Sequence, residues 1–205
     1  MPSPLRLLLA SSNSGKRREY LELAGGAPLE LDLLPNFSEI PAFDESAPTF
    51  AENAAGKALH FGRFADEKVL ADDSGLVVPA LGGAPGVYSA RYAGPGASDR
   101  DRINKLLGAA AELRGDARQA YFVCVVAIAR RGRVLAVVSD RADGEIALEP
   151  RGAGGFGYDP IFYLPQRSCT FAELSREDKS SFSHRGKAFR KMLDLLASPD
   201  FSLDS

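Results

Sequence analysis

The sequence predicts an α/β protein with a mixed sheet and helices around it. Short apolar runs and amphipathic segments alternate in the order β-α-β-α-β, and a hairpin of two apolar strands and a final amphipathic helix follow. The chain has 205 residues, of which 45% are hydrophobic and 25% charged, which suits one globular domain with a sizeable core. We therefore expect residues 1–205 to form a single domain.

Composition excludes several classes of protein. The net charge of −2 gives no global field that would draw the chain to nucleic acid or to a membrane surface. Cys124 and Cys169 lack the spacing of a zinc site or a disulfide framework. The apolar run Leu7–Ala10 is too short for a signal peptide or a membrane span. We expect a cytoplasmic protein without nucleic-acid or membrane partners.

In the first half, strands and helices alternate, and Thr49 with Glu52 has the spacing of a capping box. The predicted elements are a strand at 5–10, a helix at 17–24, a strand at 29–34, a polar loop at 35–48, a helix at 49–65, and short strands at 69–71 and 76–78 on either side of an acidic turn.

The second half is richer in glycine and contains the clearest hairpin. We predict an ordered loop at 82–98, a helix at 98–113, hairpin strands at 121–129 and 134–139, a glycine-rich loop at 152–157, and an amphipathic helix at 183–197.

The turn between the first strand and the first helix has the composition of an anion-binding site. Small residues let backbone N–H groups approach an anion, the helix N-terminus adds positive potential, and Lys16 adds a full charge. The residues are Ser11, Ser12, Asn13, Ser14, Gly15 and Lys16. They lack Walker A spacing, so a solvated turn with an N-cap is an equal alternative.

Asp72-Asp73-Ser74-Gly75 follows an apolar strand. Adjacent carboxylates on a strand point to opposite faces, so at most one faces a site and the other braces the backbone. A carboxylate there could bind a hard cation or orient a water, whereas a turn with Asx hydrogen bonds is the alternative.

The near-zero net charge hides a separation of charge along the chain. Residues 36–56 contain four acids and no Lys or Arg, whereas residues 166–191 are strongly basic. A metal-bound polyphosphate needs both groups, because carboxylates hold Mg²⁺ and cations hold phosphate oxygens. Two solvated faces far apart would give the same pattern.

Two further segments contain residues that could bind a nucleotide. In 154–160, three glycines surround Phe156 and Tyr158, so Phe156 could stack on a flat ring, or both rings could simply pack inward. In 183–187, His184 and Arg185 begin the last helix, where donors would converge on an acceptor-rich ligand.

Taken together, these segments resemble the Ham1-like inosine/xanthosine triphosphate pyrophosphatases. The matching segments are SSNSGK (11–16), TFAENAAGKA (49–58), ADDSGLVVPALGGAPGVYSARYAG (71–94), GGFGYDPIF (154–162) and ELSREDKSSFSHRGKA (173–188). They span nearly the whole chain in the family's order. The resemblance implies an α/β fold with a long central mixed sheet flanked by helices, and two lobes with a nucleotide cleft between them. It also implies a homodimer and Mg²⁺-dependent hydrolysis of ITP, dITP and XTP to the monophosphate and pyrophosphate.

The resemblance also implies roles for individual residues. Asp73 would be a metal ligand and the proton acceptor, with Asp44 or Glu45 as a further metal carboxylate. The implied substrate-binding residues are the turn 11–16, Lys57, Ser74, Phe156, Gly157, Tyr158, Asp159, Lys179, His184 and Arg185. The purine six-keto oxygen would accept from Arg185, Lys179 or a backbone N–H. The segment 45–50 departs from the family pattern by losing a glycine and gaining Pro48, which affects the metal loop.

Two other functions fit parts of the pattern. A related pyrophosphatase for modified pyrimidine or methylated nucleotides would keep the carboxylates and lysines but need another base pocket. A non-catalytic nucleotide-binding protein would not need Asp73 and Glu45.

Overall fold

The computed structural model describes residues 5–199. Its strands are β1 Leu5–Leu9, β2 Leu29–Leu33, β3 Lys68–Val77, β4 Gln119–Arg130, β5 Arg133–Ile146, β6 Phe162–Leu164 and β7 Cys169–Thr170. Its α-helices are α1 Ser14–Ala24, α2 Phe50–Phe61, α3 Asp99–Ala109, α4 Arg176–Phe182 and α5 His184–Ala197.

The seven strands form one sheet in the order β2-β1-β3-β4-β5-β6-β7. β1 pairs in parallel with β2, from Leu5 opposite Leu29 to Leu9 opposite Leu33, and it also pairs in parallel with β3. β5, β6 and β7 pair antiparallel. The sheet is therefore mixed, and the predicted α/β class with a mixed sheet and flanking helices is confirmed.

The chain divides into two compact units. Among the described residues, unit 1 contains residues 5–73, Cys124–Asp140 and residues 185–199. Unit 2 contains Ser74–Val123 and Arg141–His184. Among residues 5–199, no helix is both long enough and apolar enough to cross a membrane.

Unit 1 has helices on both faces of its strands. Because side chains alternate along a strand, Leu7 and Leu9 pack with Tyr20 of α1 and with α5, whereas Leu8 packs on the opposite face with Ala54 of α2 and its neighbours. β4 alternates in the same way. The two faces therefore form two separate hydrophobic clusters within unit 1.

In unit 2, α3 covers the core. Ile103 and Leu106 are buried in one cluster with Leu76, Tyr158 and Phe162. Ser98 caps the helix by accepting a hydrogen bond from the Asp101 N–H, and Asp101 reciprocates to the Ser98 N–H at 2.9 Å, which completes a capping box.

Capping and turn residues in the sequence correctly predicted the ends of several elements. Thr49 is the N-cap of α2, as predicted, and its side chain accepts from the Glu52 N–H at 3.2 Å. The hairpin is confirmed, with a two-residue turn in which Arg131 and Gly132 have φ of 48° and 77°. Positive φ at both positions matches the twist of the flanking strands.

The predicted acidic turn at 72–75 is wrong. β3 continues through it as a ten-residue strand, Lys68–Val77. Asp72 and Asp73 are 2% and 4% exposed, and nearby cations compensate their charges, so two acids occur inside a buried strand. A sequence pattern cannot reveal cations that come from distant segments.

Other boundaries also differ from the prediction. α1 begins at Ser14 rather than Arg17, since Asn13 caps it through the Lys16 N–H. α3 ends at Ala109, short of the predicted Leu113. The short elements β6, β7 and α4 were not predicted.

Arg118 is a buried cation that joins two elements of unit 2. Its guanidinium donates to the carbonyls of Ala110 and Leu113 after α3, and to those of Ile146 and Ala147 at the end of β5, at 2.6–3.2 Å. The side chain therefore satisfies carbonyls that the ends of these elements would leave unpaired.

Replacing Arg118 should destabilise the protein. Arg118→Ala leaves buried carbonyls without donors, so the free energy of unfolding should fall by about 2 kcal/mol or more, measured by urea denaturation. Arg114→Ala is the control, because this exposed side chain donates only to nearby carbonyls, and its loss should cost less than about 0.5 kcal/mol. Equal losses for the two variants would contradict the role given to Arg118.

Candidate active site

Within unit 1, the turn before α1 directs Lys16 toward β3. Asn13 accepts from the Lys16 N–H at 2.9 Å, and Ser11 Oγ accepts from the Asn13 N–H at 3.3 Å, so the turn is fixed by its own side chains. Gly15 is buried, while Ser12 and Ser14 are exposed. The Lys16 ammonium lies 2.9 Å from Asp72 Oδ2.

Asp72 is the anionic centre of a buried cluster. Besides Lys16, the Arg185 guanidinium lies 3.6 Å from Asp72 Oδ2, and the Cys124 thiol is 3.7 Å from the same atom. Burial alone would raise the pKa of Asp72, but the charges of Lys16, Arg185 and Lys57 outweigh burial and hold this pKa well below its usual range. Asp72 is therefore ionised and braces the two cations.

The Cys124 thiol is chemically quiet in this setting. Burial and the Asp72 charge raise its pKa to about 12, and Tyr20 contacts the sulfur at 3.7 Å. The predicted absence of a cysteine-based site stays a prediction.

Arg185 has protein partners in unit 1. Its side chain is 2% exposed, and the guanidinium binds Glu19 Oε2 at 2.5 Å in addition to Asp72. No sequence pattern indicates Glu19 as its partner, because the two residues are 166 positions apart. The assignment of Arg185 to the purine base stays a prediction.

Asp73 points to a second group of charges. The Lys57 ammonium lies 3.6 Å from Asp73 Oδ1 and 3.0 Å from Glu45 Oε1. Burial raises the pKa of Asp73, and the negative charges of Glu45 and Asp72 act in the same direction against the lowering effect of Lys57 and Lys16. The adjacent carboxylates of β3 thus have opposite pKa shifts.

The loop that carries Glu45 is fastened to α2. Asn53 is fully buried, accepts from the Ala47 N–H at 3.1 Å and donates to the Ala47 carbonyl at 3.3 Å. Sequence reasoning missed Asn53, although a polar residue on the buried face of an amphipathic helix is a usable signal. Asp44 is exposed and forms no ion pair with Lys57.

The chemistry of this group suits a divalent hard cation. Glu45 and Asp73 are two carboxylates that already share one positive charge, Lys57. Mg²⁺ is usually held by one or two carboxylates together with substrate phosphates and water. Within 5–199, no group of three or more His, Cys, Asp or Glu side chains could hold a metal, so other oxygen atoms would have to complete its coordination.

In unit 2, the glycine-rich loop is held by Asp159. Its Oδ2 accepts from the Phe156 N–H at 2.8 Å and from the Lys179 ammonium at 2.5 Å. The same ammonium lies 4.9 Å from the Phe156 ring centroid, within range of a cation–π interaction. Gly155 has φ of 71°, and a Cβ there would collide with the Asp159 carboxylate, so glycine is required.

Two contacts outside the loop fix its other end. The Gly157 N–H donates to Asp99 Oδ2 at 2.7 Å, and the Tyr158 hydroxyl donates to the Ser89 carbonyl at 2.9 Å. Ser89 Oγ also accepts from the Leu76 N–H of β3 at 2.9 Å. Sequence reasoning missed both Asp99 and Ser89.

Two other residues of unit 2, His184 and Ser74, were also predicted to contact the substrate. His184 is 4% exposed and stacks on Phe122, with ring centroids 4.6 Å apart and planes 9° apart. Ser74 follows Asp73 on β3 and is partly exposed. The predicted substrate contacts of both stay predictions.

Comparison with known proteins now decides the family. A sequence model of the Ham1 family matches residues 7–195. The chain belongs to the Ham1 family. Curated relatives include the dITP/XTP pyrophosphatases of Geobacillus kaustophilus, 48% identical over 91% of each chain, and Desulforamulus reducens, 45% identical over 94% of this chain and 96% of the relative.

Solved structures agree with this Ham1 assignment. The chain is similar to a Ham1 protein from Coxiella burnetii, with a TM-score of 0.83 and 42% identity over 94% of this chain and 98% of that one. It is also similar to the Staphylococcus aureus Ham1 protein, with a TM-score of 0.81 and 37% identity over 93% of this chain and 97% of that one.

Removing the charge of Asp72 should destabilise this Ham1 protein. In Asp72→Asn, Lys16 and Arg185 lose the anion between them, so the free energy of unfolding at neutral pH should fall by about 3 kcal/mol or more in urea denaturation. Asp32→Asn is the control, because Asp32 forms an ion pair with Arg6 on the surface, and its loss should cost less than about 1 kcal/mol. A small effect at Asp72 would show that the cluster is not braced by this charge.

Proposed function

We propose that the chain hydrolyses non-standard purine nucleoside triphosphates, namely dITP, XTP and ITP, to the monophosphate and pyrophosphate. The observation that carries the proposal is Asp73, a buried carboxylate with a raised pKa that faces a lysine ammonium. It occurs in a chain that shares 48% identity with a dITP/XTP pyrophosphatase over nearly its full length.

The reaction needs a water to attack the α-phosphorus, and the bond from that phosphorus to the bridging oxygen of the β-phosphate breaks. Asp73 accepts the proton of the attacking water, and in the metal-free protein burial raises its pKa above that of an ordinary carboxylate. Asp72 is unsuited to this step, since the cations around it hold it ionised with a low pKa.

The positive groups of unit 1 act on the phosphates. Lys16 and the N–H groups at the start of α1 bind phosphate oxygens, and the turn 11–16 holds these groups in position. Lys57 stabilises the negative charge that develops on the pyrophosphate leaving group. The Asp72 carboxylate holds Lys16 in place for this role.

We assign Mg²⁺ to Glu45 and Asp73. When bound, it supplies positive charge that neutralises the phosphates. Glu45 is the better candidate of the two predicted acids, because its carboxylate meets Lys57 and Asp44 is exposed.

Residues of unit 2 recognise the base in this proposal. The loop 156–159 presents the Phe156 ring and backbone groups, and Lys179 supplies a donor beside them. Ser74, Tyr158 and His184 of unit 2 and Arg185 of unit 1 remain proposed substrate residues. Selectivity follows from hydrogen bonding, because a site built for a six-keto oxygen leaves its donors unpaired when adenine presents an amino group.

The family resemblance supports three further proposals. The chain acts as a single functional domain, it assembles as a homodimer, and it works in the cytoplasm, where it removes damaged nucleotides from the pool. The low net charge agrees with a small-molecule substrate rather than a nucleic acid.

A pyrophosphate-release assay over dITP, XTP, ITP, dUTP, GTP and ATP, with and without Mg²⁺, tests the proposed function. We expect hydrolysis of dITP, XTP and ITP far above ATP, and loss of activity on chelation. Asp73→Asn should lower kcat by about 100-fold or more while nucleotide binding changes little. Nucleotide binding without any turnover by the wild type would favour a non-catalytic binding protein, and a preference for dUTP would favour a pyrimidine enzyme.

The two predicted metal acids can be separated by titrating Mg²⁺. Glu45→Gln should raise the Mg²⁺ concentration for half-maximal velocity about tenfold or more, equivalent to about 1.4 kcal/mol of binding free energy. Asp44→Asn is the matched control from the neighbouring position and should leave this concentration unchanged. The reverse result would transfer the metal to Asp44.

A further inference from the structure

The peptide between Phe156 and Gly157 is held from both sides. Its carbonyl accepts from the Asp159 N–H at 3.3 Å, and its N–H donates to Asp99 Oδ2 at 2.7 Å. Asp99 belongs to α3, so the second contact comes from a separate element.

The Asp99 contact comes from outside the loop and adds to the 3.3 Å Asp159 contact within it, in a segment that is rich in glycine. Gly155 and Gly157 have φ of 71° and 63°, and glycine has the widest conformational freedom of any residue. A peptide next to a glycine can rotate about its own axis and exchange the directions of its N–H and C=O. The Asp99 carboxylate accepts hydrogen bonds and repels a carbonyl oxygen, so it selects one of the two orientations.

Asp99 is itself well supported. It lies in the first turn of α3 and pairs with Arg102, whose guanidinium also donates to the carbonyls of Ala90 and Ala97 at 3.0 and 2.7 Å. Farther along the helix, Ile103 is buried in the same core cluster as Tyr158. The anchor and the loop therefore share one packed core, which limits their relative motion.

We propose that Asp99 is a positioning residue for base recognition: its carboxylate fixes the Phe156–Gly157 peptide and thereby the direction of the Phe156 ring and of the adjacent backbone groups. This inference rests on the proposed role of the loop 156–159 in binding the base. A selective site requires donors and acceptors held in one geometry, so a peptide with two orientations would discriminate poorly.

Asp99→Asn is the sharpest test, since the amide is isosteric but can both donate and accept. An asparagine would no longer repel a carbonyl oxygen, so only the 3.3 Å contact with the Asp159 N–H would still favour the observed orientation of the peptide. We expect the ratio of kcat/KM for dITP to kcat/KM for dATP to fall at least fivefold. This ratio is independent of the fraction of active enzyme, so a general loss of folded protein would not change it.

Asp101→Asn is the matched control. It removes one negative charge from the same turn of α3, and Asp101 contacts Ser98 rather than the loop. The dITP:dATP ratio should stay within twofold of wild type. Amide hydrogen exchange of Gly157 in the free enzyme provides a second readout, and it should accelerate in Asp99→Asn alone.

The possible outcomes distinguish a failure of the positioning role of Asp99 from a failure of base recognition by the loop 156–159. An unchanged ratio in Asp99→Asn, or an equal drop in Asp101→Asn, overturns the positioning role. Phe156→Ala tests the loop itself: if this variant keeps the wild-type ratio, the loop does not recognise the base, and both the assignment and the inference fail. If Phe156→Ala lowers the ratio and Asp99→Asn does not, the inference alone is overturned.

Discussion

The buried carboxylate of Asp72 sets the condition on which the rest of unit 1 depends. An ionised acid inside a central strand costs several kcal/mol unless cations accompany it, and here Lys16 and Arg185 both do. The start of α1 and the start of α5 must therefore meet β3 at one point. That meeting keeps β3 continuous through its two acids and leaves Asp73 on the opposite face, beside Lys57.

Much of the fold could be predicted from local signals, because caps and alternation depend on neighbours in sequence. Thr49 and the hairpin around Arg131–Gly132 are examples. The continuation of β3 through its two acids could not be predicted in this way. The cations that compensate the charge of Asp72 lie 56 residues before it and 113 residues after it. The short strands β6 and β7 carry too few residues for a periodic pattern.

The sequence likewise pointed to some residues of the candidate site and missed others. Motifs identified Lys16, Asp73 and the glycine-rich loop, because each is a short run of residues with a recognisable chemistry. They did not identify Asn53 or Asp99, which act by single hydrogen bonds to backbone groups of another segment. Only the family resemblance distinguished Asp73 from Asp72; the residue pattern itself could not, because the difference lies in what surrounds each carboxylate.

The hydrogen bonds of Arg118 affect how the stability of the protein depends on pH. Its acceptors are backbone carbonyls, which do not titrate in the range where proteins unfold, so this junction keeps its contacts as the pH falls. The Asp72 cluster behaves differently. Because its pKa is depressed in the folded state, the stability it contributes is complete above the pKa of an unfolded aspartate and declines as the pH drops below that value. The Asp72 cluster is thus sensitive to acid, whereas the hydrogen bonds between Arg118 and the carbonyls do not depend on the protonation of their acceptors.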